Sequence, residues 1–501
     1  MSQKFDVEVV IIGAGIGGLV TATQLAAKGI EVLVLEKYLI PGGSAGYFER
    51  NGYRFDVGAS MIFGFGKQGT TNLLTRALAD VDMELETIAD HCQVHYHLPN
   101  GLDLKVDRDY EVFIQKLGDY FPNQRTGIRK FYDTCWQVFN CLNAIELLSL
   151  EEYRYLLRVF LQNPLACLGL VQFLPQNVGD IARRYINDPE LLRFIDMECY
   201  IWSVVPADKT PMINAGMVFS DRHYGGINYP KGGVGKIAEK LVEGLEQKGG
   251  KIRYGARVTK ITPKTRDQAI SIHLASGEII RTKRLVSNAT RWDTFGSLLK
   301  QESLPQKEQK WQNRYQKSPS FLSLHLGVKA ESIPSESACH HVLLENWQNI
   351  EDSHGTIFVS IPTLLDPELA PPGCHIVHAF SPSWIKDWAG LNETEYEAKK
   401  QLEAEKIINR LETVLPGLSQ NLDYKEVGTP RTHRRFLGRV DGTYGAVPRF
   451  KLPGLLTMPF NRTSIADLFC VGDSTFPGQG LNAVAFSGFA CAHLVANSLG
   501  K

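Results

Sequence analysis

The amino-acid sequence predicts an α/β fold in which a Rossmann-like dinucleotide-binding domain is joined to a discontinuous α+β domain. Two observations carry this prediction. Near the N-terminus, an apolar strand, a glycine-rich turn, a helix and a second strand ending in a carboxylate follow one another. Near the C-terminus, a short strand ends in a Gly-Asp pair, and a glycine-containing loop then opens a long apolar helix. Both patterns bring backbone amides to phosphate groups, so the two chain ends are expected to form one site.

The first element is a strand over Val7–Ile12, because this run is short, apolar and β-branched. The turn after it needs glycine three times: Gly13 for a tight turn, Gly15 for close approach to a pyrophosphate, and Gly18 for packing of the helix on the strand. A helix rich in Ala and Leu follows over residues 19–28. Its N-terminus is expected to face the phosphates.

The second strand, over residues 30–35, ends at Glu36. A carboxylate at this place accepts hydrogen bonds from both hydroxyls of an adenosine ribose, which favours an unphosphorylated ribose. The alternative is a glycine-rich turn with an unrelated acid. The ordered succession of strand, glycines, helix, strand and acid argues against that alternative.

The segment after Glu36 distinguishes a flavin from a nicotinamide dinucleotide. Residues 41–46 form a second Gly/Ser loop, and residues 51–60 continue it with further glycines. A nicotinamide dinucleotide needs no such loop directly after the ribose acid, whereas the ribityl chain and isoalloxazine of FAD extend much further. These residues resemble the extended FAD fingerprint of the superfamily of amine oxidases, protoporphyrinogen oxidases and phytoene desaturases. The resemblance implies an FAD domain of the two-dinucleotide-binding-domain kind.

The C-terminal segment resembles the same superfamily. Residues 467–471 predict a strand that ends at Gly472 and Asp473, and residues 476–482 form the loop before the helix. In the superfamily, such an Asp contacts the ribityl or pyrophosphate region, and the N-terminus of the next helix faces the pyrimidine end of the flavin. An isolated Gly-Asp turn is the alternative when this segment is considered without the N-terminal pattern.

Two middle strands complete the expected FAD domain. Residues 251–261 resemble the strand whose backbone, near Val258, holds the adenine, and residues 285–289 are the expected return strand. The resemblance implies that FAD is bound by Gly13, Ala14, Gly15, Gly18, Glu36, Lys37, Gly43, Ser44, Gly58, Ala59, Ser60, Met61, Val258, Gly472, Asp473, Gly480, Leu481 and Asn482.

This assignment makes both domains discontinuous. The FAD-binding domain is predicted to comprise residues 1–70, 230–290 and 430–501. The substrate-binding and membrane-docking domain is predicted to comprise residues 71–229 and 291–429.

Residues 139–173 carry leucine-rich clusters that alternate with charged residues and are broken by Pro164. A membrane span is not expected, because charges and prolines recur too often. An amphipathic surface that docks in the plane of a membrane is one interpretation, and an ordinary pair of core helices is the other.

His91, His95 and His97 lie two to four residues apart, so a strand would place them on one face, as a metal site needs. A hairpin that turns at Asn100 and Gly101 explains the segment without a metal, and none is predicted. The pair at 340–341 is expected to lie in a loop or at the surface.

A basic cluster precedes the C-terminal FAD strand and comprises Arg431, His433, Arg434 and Arg435. It is either a solvated basic face or a contact with the cofactor or lipid headgroups.

Two further segments narrow the resemblance. Residues 224–233 resemble the pattern that opens the middle FAD segment in carotenoid desaturases, and residues 429–445 resemble the corresponding region of carotenoid cis-trans isomerases and retinol saturases. The resemblance to the carotenoid isomerases runs essentially end to end. It implies FAD-dependent isomerisation of a poly-cis carotenoid, tetra-cis-lycopene, to the all-trans form.

The same resemblance implies that reduced flavin is the active form, that no net redox change occurs, and that NAD(P)H serves only as an indirect electron source. No catalytic acid or base is assigned, because the flavin carries the chemistry. A desaturase or saturase is one alternative, and a carotenoid-binding flavoprotein without catalysis is another.

The net charge of the chain and the apolar nature of the expected substrate predict which molecules the protein contacts. Lys plus Arg and Asp plus Glu number 54 each, so the net charge is zero and no attraction to nucleic acid is expected. Moving forty apolar carbons through water would cost about 30 kcal/mol, at about 0.8 kcal/mol per carbon. The substrate is therefore expected to enter from a lipid bilayer, through peripheral attachment without a span, on the cytoplasmic side of a cellular or thylakoid membrane. No feature of the sequence predicts an oligomeric state.

Overall fold

The structure is a computed structural model that describes residues 5–58, 60–65, 71–266, 268–299 and 304–501. Within these ranges, the strands are β1 (Val7–Ile12), β2 (Val32–Leu35), β3 (Tyr47–Arg50), β4 (Tyr53–Asp56), β5 (Thr87–Asp90), β6 (Cys92–Leu98), β7 (Leu102–Asp107), β8 (Ile227–Pro230), β9 (Lys251–Arg253), β10 (Val258–Thr262), β11 (Ile270–Leu274), β12 (Ile279–Ser287), β13 (Tyr315–Lys317), β14 (Ser320–Lys329), β15 (His340–Leu343), β16 (Ile357–Ser360), β17 (Cys374–Ser383), β18 (Leu422–Gly428), β19 (Ala446–Pro448) and β20 (Leu468–Cys470).

The α-helices of the same ranges are α1 (Ile16–Ala27), α2 (Leu73–Ala79), α3 (Tyr110–Tyr120), α4 (Arg125–Asn143), α5 (Tyr153–Gln162), α6 (Pro164–Val171), α7 (Val178–Tyr185), α8 (Pro189–Ser203), α9 (Met212–Tyr224), α10 (Gly235–Gln247), α11 (Gln306–Arg314), α12 (Glu393–Leu411), α13 (Pro430–Leu437) and α14 (Leu481–Ser498).

The first large sheet has the strand order β10-β11-β12-β1-β2-β9, and β20 pairs with the end of β12. Strands β20, β12, β1, β2 and β9 run parallel to one another. Their register places Ile12 opposite both Leu35 and Ser287, and Ser287 opposite Cys470. The five parallel strands therefore end at one edge, where open α/β sheets bind their ligands.

Helices cover this sheet and form its core. Helix α1 packs against α14 and α10, and the buried Ile, Leu, Val and Ala side chains of these helices join those of the parallel strands in one apolar cluster. Burial on both faces explains why β1 is almost continuously apolar rather than alternating.

The second large sheet has the order β18-β14-β17-β16-β15-β6-β7. Its pairs are antiparallel except for β15 and β6, which are parallel. Helices α3 to α9 pack in an apolar cluster with β6, β7 and β15, while α12 packs with β14, β16 and β17 in another. This sheet therefore has its own cores.

The structure departs from three predictions. The pair at 340–341, expected in a loop or at the surface, is buried in strand β15, because this strand is an interior strand of the second sheet. Helix α1 begins at Ile16, three residues before the predicted start, because Gly15 already has the extended backbone of an N-cap residue. The predicted strand over 251–261 is two strands, β9 and β10, which pair with different partners. Gly255, with a φ of +64°, lies in the turn between them, where glycine carries no steric penalty.

None of the described helices can span a membrane. Across the described ranges, every helix is too short or too polar for that role.

Candidate functional site

A cavity of about 1270 Å³ begins at the shared edge of the parallel strands and extends to the second sheet and to helices α5, α6 and α9. Typical small-molecule pockets measure about 300–1,000 Å³. The cavity is therefore large enough for a dinucleotide and a second ligand.

Most of the predicted cofactor residues meet in the wall of this cavity. Those that line it are Gly13, Gly15, Glu36, Lys37, Gly43, Ser44, Gly58, Ser60, Met61, Val258, Gly472, Asp473, Gly480, Leu481 and Asn482. Ala14 and Gly18 lie behind the wall, and Ala59 falls outside the described residues.

Backbone amides hold the Glu36 carboxylate in place. Its Oε2 accepts a hydrogen bond of 2.7 Å from the N–H of Ala14, and its Oε1 accepts one of 2.7 Å from the N–H of Tyr38. Each carboxylate oxygen has two lone pairs, so both oxygens can also accept a bond from a ribose hydroxyl. Ala14 thus contributes by orienting the acid.

Two helix N-termini open onto the cavity. Gly15 caps α1 and Gly480 caps α14, and neither helix has a side-chain cap. Their first N–H groups are available to an anion, and the helix dipoles favour negative charge there. Ser44 adds a buried hydroxyl that has no hydrogen-bond partner among the described atoms. This cradle fits the diphosphate of FAD.

The sequence did not single out Asn288, which is central to the cradle. It follows β12, donates from Nδ2 to the carbonyl oxygen of Gly13 at 3.4 Å, and packs against Gly472. A Cβ added at Gly15 would lie 2.8 Å from Nδ2 of Asn288. The only indication in the sequence is a polar residue directly after an apolar strand.

The side chains of the basic cluster on α13 have different surroundings and different hydrogen-bond partners. Arg434 lines the cavity, whereas Arg431 donates to the carbonyl oxygens of Trp388 and Leu391. His433 is buried, lies 3.1 Å from the Tyr444 hydroxyl through Nδ1, and burial lowers its pKa to about 3. The cluster is therefore not one solvated face.

The same region anchors two predicted cofactor residues. Lys37 Nζ donates to the carbonyl oxygen of Arg435 at 2.7 Å. Arg439, which the sequence did not suggest, forms an ion pair with Asp473. The end of α13 and the residues after it thereby join the N-terminal and C-terminal parts of the cradle.

The far part of the cavity is apolar. Its wall includes Leu156 and Val159 from α5, and Cys167 and Leu170 from α6. Asp221 on α9 is an exception: it lines the cavity, and burial raises its pKa to about 7 although the Gly225 amide acts in the opposite direction. The site therefore combines an anion-binding cradle with an apolar chamber that includes the carboxyl group of Asp221.

Comparisons with known proteins agree with this arrangement. The family of flavin-containing amine oxidoreductases matches residues 16–496. Prolycopene isomerase 1, chloroplastic, from an Oncidium hybrid cultivar is 57% identical, over 100% of this chain and 85% of its own length. The chain belongs to the prolycopene isomerase family of flavin-containing amine oxidoreductases.

More distant relatives are similar over nearly the whole chain. Phytoene desaturase (lycopene-forming) from Pseudescherichia vulneris is 28% identical over 98% of this chain and 99% of its own length. The crystal structure of an oxidoreductase from Methanosarcina mazei superimposes with a TM-score of 0.62 at 20% identity, covering 99% of this chain and all of that one. The predicted fold class and the predicted family are both confirmed.

Proposed function

We propose that this member of the prolycopene isomerase family converts tetra-cis-lycopene to all-trans-lycopene, with reduced FAD and no net redox change. The observation that carries the proposal is the 57% identity, over the whole chain, to a protein named prolycopene isomerase. We also propose that NAD(P)H serves only as an indirect source of electrons. The two large sheets with separate cores support the proposed division into FAD-binding and substrate-binding domains.

The geometry supports this reaction because the cradle and the apolar chamber are one continuous cavity. Reduced flavin held in the cradle would supply electron density that transiently lowers the order of a conjugated double bond, and it would take that density back after the bond has rotated. The apolar walls hold the polyene and exclude water. A rival route would protonate the polyene to give an allylic cation. Asp221, whose pKa burial raises to about 7, is a group in the chamber that can hold the proton for that route.

An anaerobic turnover experiment tests the function. Tetra-cis-lycopene is incubated with the protein carrying reduced FAD and then, separately, oxidised FAD. We expect all-trans-lycopene of unchanged mass and double-bond number, with reduced FAD only. A change of two hydrogens would instead identify a desaturase or saturase, and binding without conversion would identify a carrier.

We propose, further, that the chamber opens into a lipid bilayer. Large apolar side chains project from α5 and α6, and we call them the docking patch: Tyr153, Leu157, Phe160, Leu161, Leu165, Leu168 and Val171. On these two helices only Val159 and Leu170 are buried, so they are not an ordinary pair of core helices.

The position of the docking patch supports direct transfer of substrate. Residues of the same two helices line the chamber on the inside, so only one layer of helix separates the chamber from the patch. Contact with lipid there spares the polyene the cost of about 30 kcal/mol for crossing water. Because the chain has no net charge, the attachment is expected to be hydrophobic.

The replacement of both Leu161 and Leu165 by aspartate is expected to reduce partitioning onto uncharged phosphatidylcholine vesicles by at least about 100-fold. These side chains are 70% and 84% exposed, and each buried leucine contributes about 1.5–3 kcal/mol. Vesicle co-sedimentation measures the effect. Leu402→Asp is the matched control, since Leu402 is 54% exposed on α12, which does not line the cavity. Equal loss of binding in the control would refute the docking patch.

A further inference from the structure

Three histidines from two strands meet on the second sheet, and one of them, His341, also lines the large cavity. His95 and His97 alternate along β6, and His341 comes from the parallel strand β15, where its backbone is paired with that of His95. Asp103 lies on β7, directly opposite His97. One ring nitrogen from each histidine lies within 4.8 Å of the other two, and we call this group the imidazole cluster.

Each ring of the imidazole cluster has one nitrogen next to an acceptor. His95 Nε2 lies 2.7 Å from Oδ1 of Asp103, and His97 Nδ1 lies 2.8 Å from Oδ2 of the same carboxylate. His341 Nε2 lies 2.9 Å from the carbonyl oxygen of Ala338. Carboxylate and carbonyl oxygens accept hydrogen bonds, so these three nitrogens carry the hydrogens.

These hydrogen positions determine the tautomer of each neutral ring, and they leave a lone pair on its other nitrogen. His97 Nε2 and His341 Nδ1 then face each other at 3.0 Å, lone pair against lone pair. Such a contact is favourable only when a proton or a metal cation lies between the two nitrogens.

The third ring, His95, converges on the same place, since one nitrogen of each of the three histidines lies within 4.8 Å of the other two. Three converging imidazoles are the ligand arrangement of a metal site, whereas a single shared proton needs only two.

We propose that the imidazole cluster binds one divalent transition-metal ion of the Zn²⁺ class. Imidazoles that ligate metals characteristically donate their second N–H to a carboxylate or a backbone carbonyl, which is the arrangement around His95, His97 and His341. Zinc accepts three imidazoles at about 2.0–2.1 Å and a water as the fourth ligand. His95 and His97 are partly exposed, which gives the ion a route of entry.

The ion would link neighbouring strands at one end of the second sheet. Strands β15, β6 and β7 are its last three strands, and all of them contribute a residue to the site or to its carboxylate partner. The metal is therefore expected to stabilise the fold and, because His341 also lines the large cavity, to hold that part of the cavity wall in place. The sequence favoured a metal-free hairpin because His341 lies far from His95 and His97 along the chain, and only pairing of β15 with β6 joins them.

Calorimetric titration of the chelator-treated, tag-free, FAD-loaded protein with Zn²⁺ tests the proposal. We expect one ion per chain and a rise in Tm of about 3 °C at 100 times the dissociation constant. His97→Gln and His341→Gln are expected to weaken binding by more than about 100-fold, and Asp103→Asn by about 10–100-fold. Co²⁺ in place of Zn²⁺ should give the visible absorption of a four-coordinate site.

His91→Gln is the matched control, because His91 is exposed at the start of the same segment and is outside the imidazole cluster. It should bind Zn²⁺ as the unaltered protein does. Circular dichroism and flavin content show whether each variant is folded. The proposal is overturned if no stoichiometric Zn²⁺ binds, or if binding survives His341→Gln. It is also overturned if binding is lost only in Cys339→Ser, which would assign the ion to the buried group of Asp90, Cys339 and His340.

Discussion

Gly18→Ala is expected to produce a protein that retains no flavin. A Cβ built on Gly18 would lie 2.3 Å from the carbonyl oxygen of Gly13, whereas real Cβ atoms essentially never approach a neighbour closer than 3.0 Å. The obstructing atom belongs to the backbone of the turn, so no side-chain rotation relieves the overlap. Gly13 itself has a φ of +93°, which leaves that turn few alternative conformations.

The turn between β1 and α1 must therefore move, and the helix N-terminus that faces the phosphates moves with it. We expect FAD to bind at least about 100-fold more weakly, which corresponds to about 2.8 kcal/mol. The ratio of flavin absorbance to protein absorbance after gel filtration measures the loss. Gly296→Ala is the control, because no atom lies within 4 Å of the added Cβ and the backbone is in an ordinary conformation. Full flavin content in Gly18→Ala would contradict the close packing described here.

Glu308→Gln is expected to lower the free energy of unfolding by about 3–5 kcal/mol. Glu308 and Arg291 form an ion pair in which both side chains are only 2% exposed. Two hydrogen bonds, of 3.0 and 2.6 Å, join the guanidinium to the carboxylate. Glutamine has the same shape but no charge, so the substitution leaves an uncompensated guanidinium in the interior.

The effect extends to the cofactor site, because Arg291 Nη1 also donates to the carbonyl oxygen of Phe460, and the Arg291 N–H donates to Ser474 Oγ. Ser474 follows the Gly472-Asp473 pair directly. We therefore expect flavin release and loss of helical signal at a lower urea concentration than in the unaltered protein.

Glu278→Gln is the matched control for this experiment. Glu278 forms a pair with Arg253 of similar geometry, with bonds of 2.8 and 2.7 Å, but both side chains are 44% exposed. Such surface pairs contribute about 0–1 kcal/mol. If the two substitutions had equal effects, burial would not be the reason for the importance of the Arg291 pair. Replacement of Arg291 and Glu308 together by Met and Leu should recover most of the stability.

The sequence predicted the parts of the site that depend on local chemistry. Strand β1 has the predicted bounds, and the glycines and Glu36 that follow β1 and β2 line or support the cavity. These residues could be found because turn geometry, helix N-termini and ribose recognition each demand a particular residue type at a fixed spacing.

The remaining site residues depend on tertiary pairing, which local patterns do not encode. Asn288 reaches Gly13 only because β12 pairs with β1, and Arg439 reaches Asp473 only because the segment after α13 lies beside the end of β20. The break between β9 and β10 was missed for a similar reason. The composition of residues 251–261 favours one continuous strand, but β9 pairs with β2 and β10 pairs with β11.

The pairing of β20 with β12 has a consequence for biosynthesis. Strand β20 and the N-terminus of α14 supply Asp473 and Asn482 to a cradle whose first glycine is residue 13. At about 5–20 residues per second, the ribosome needs roughly 23–94 s to add the residues between Gly13 and Asn482. During that interval the nascent N-terminal segment has no complete binding surface for flavin. The cofactor can therefore bind only after Asn482 has been added. Until then, the N-terminal segments of the cradle are exposed to chaperones.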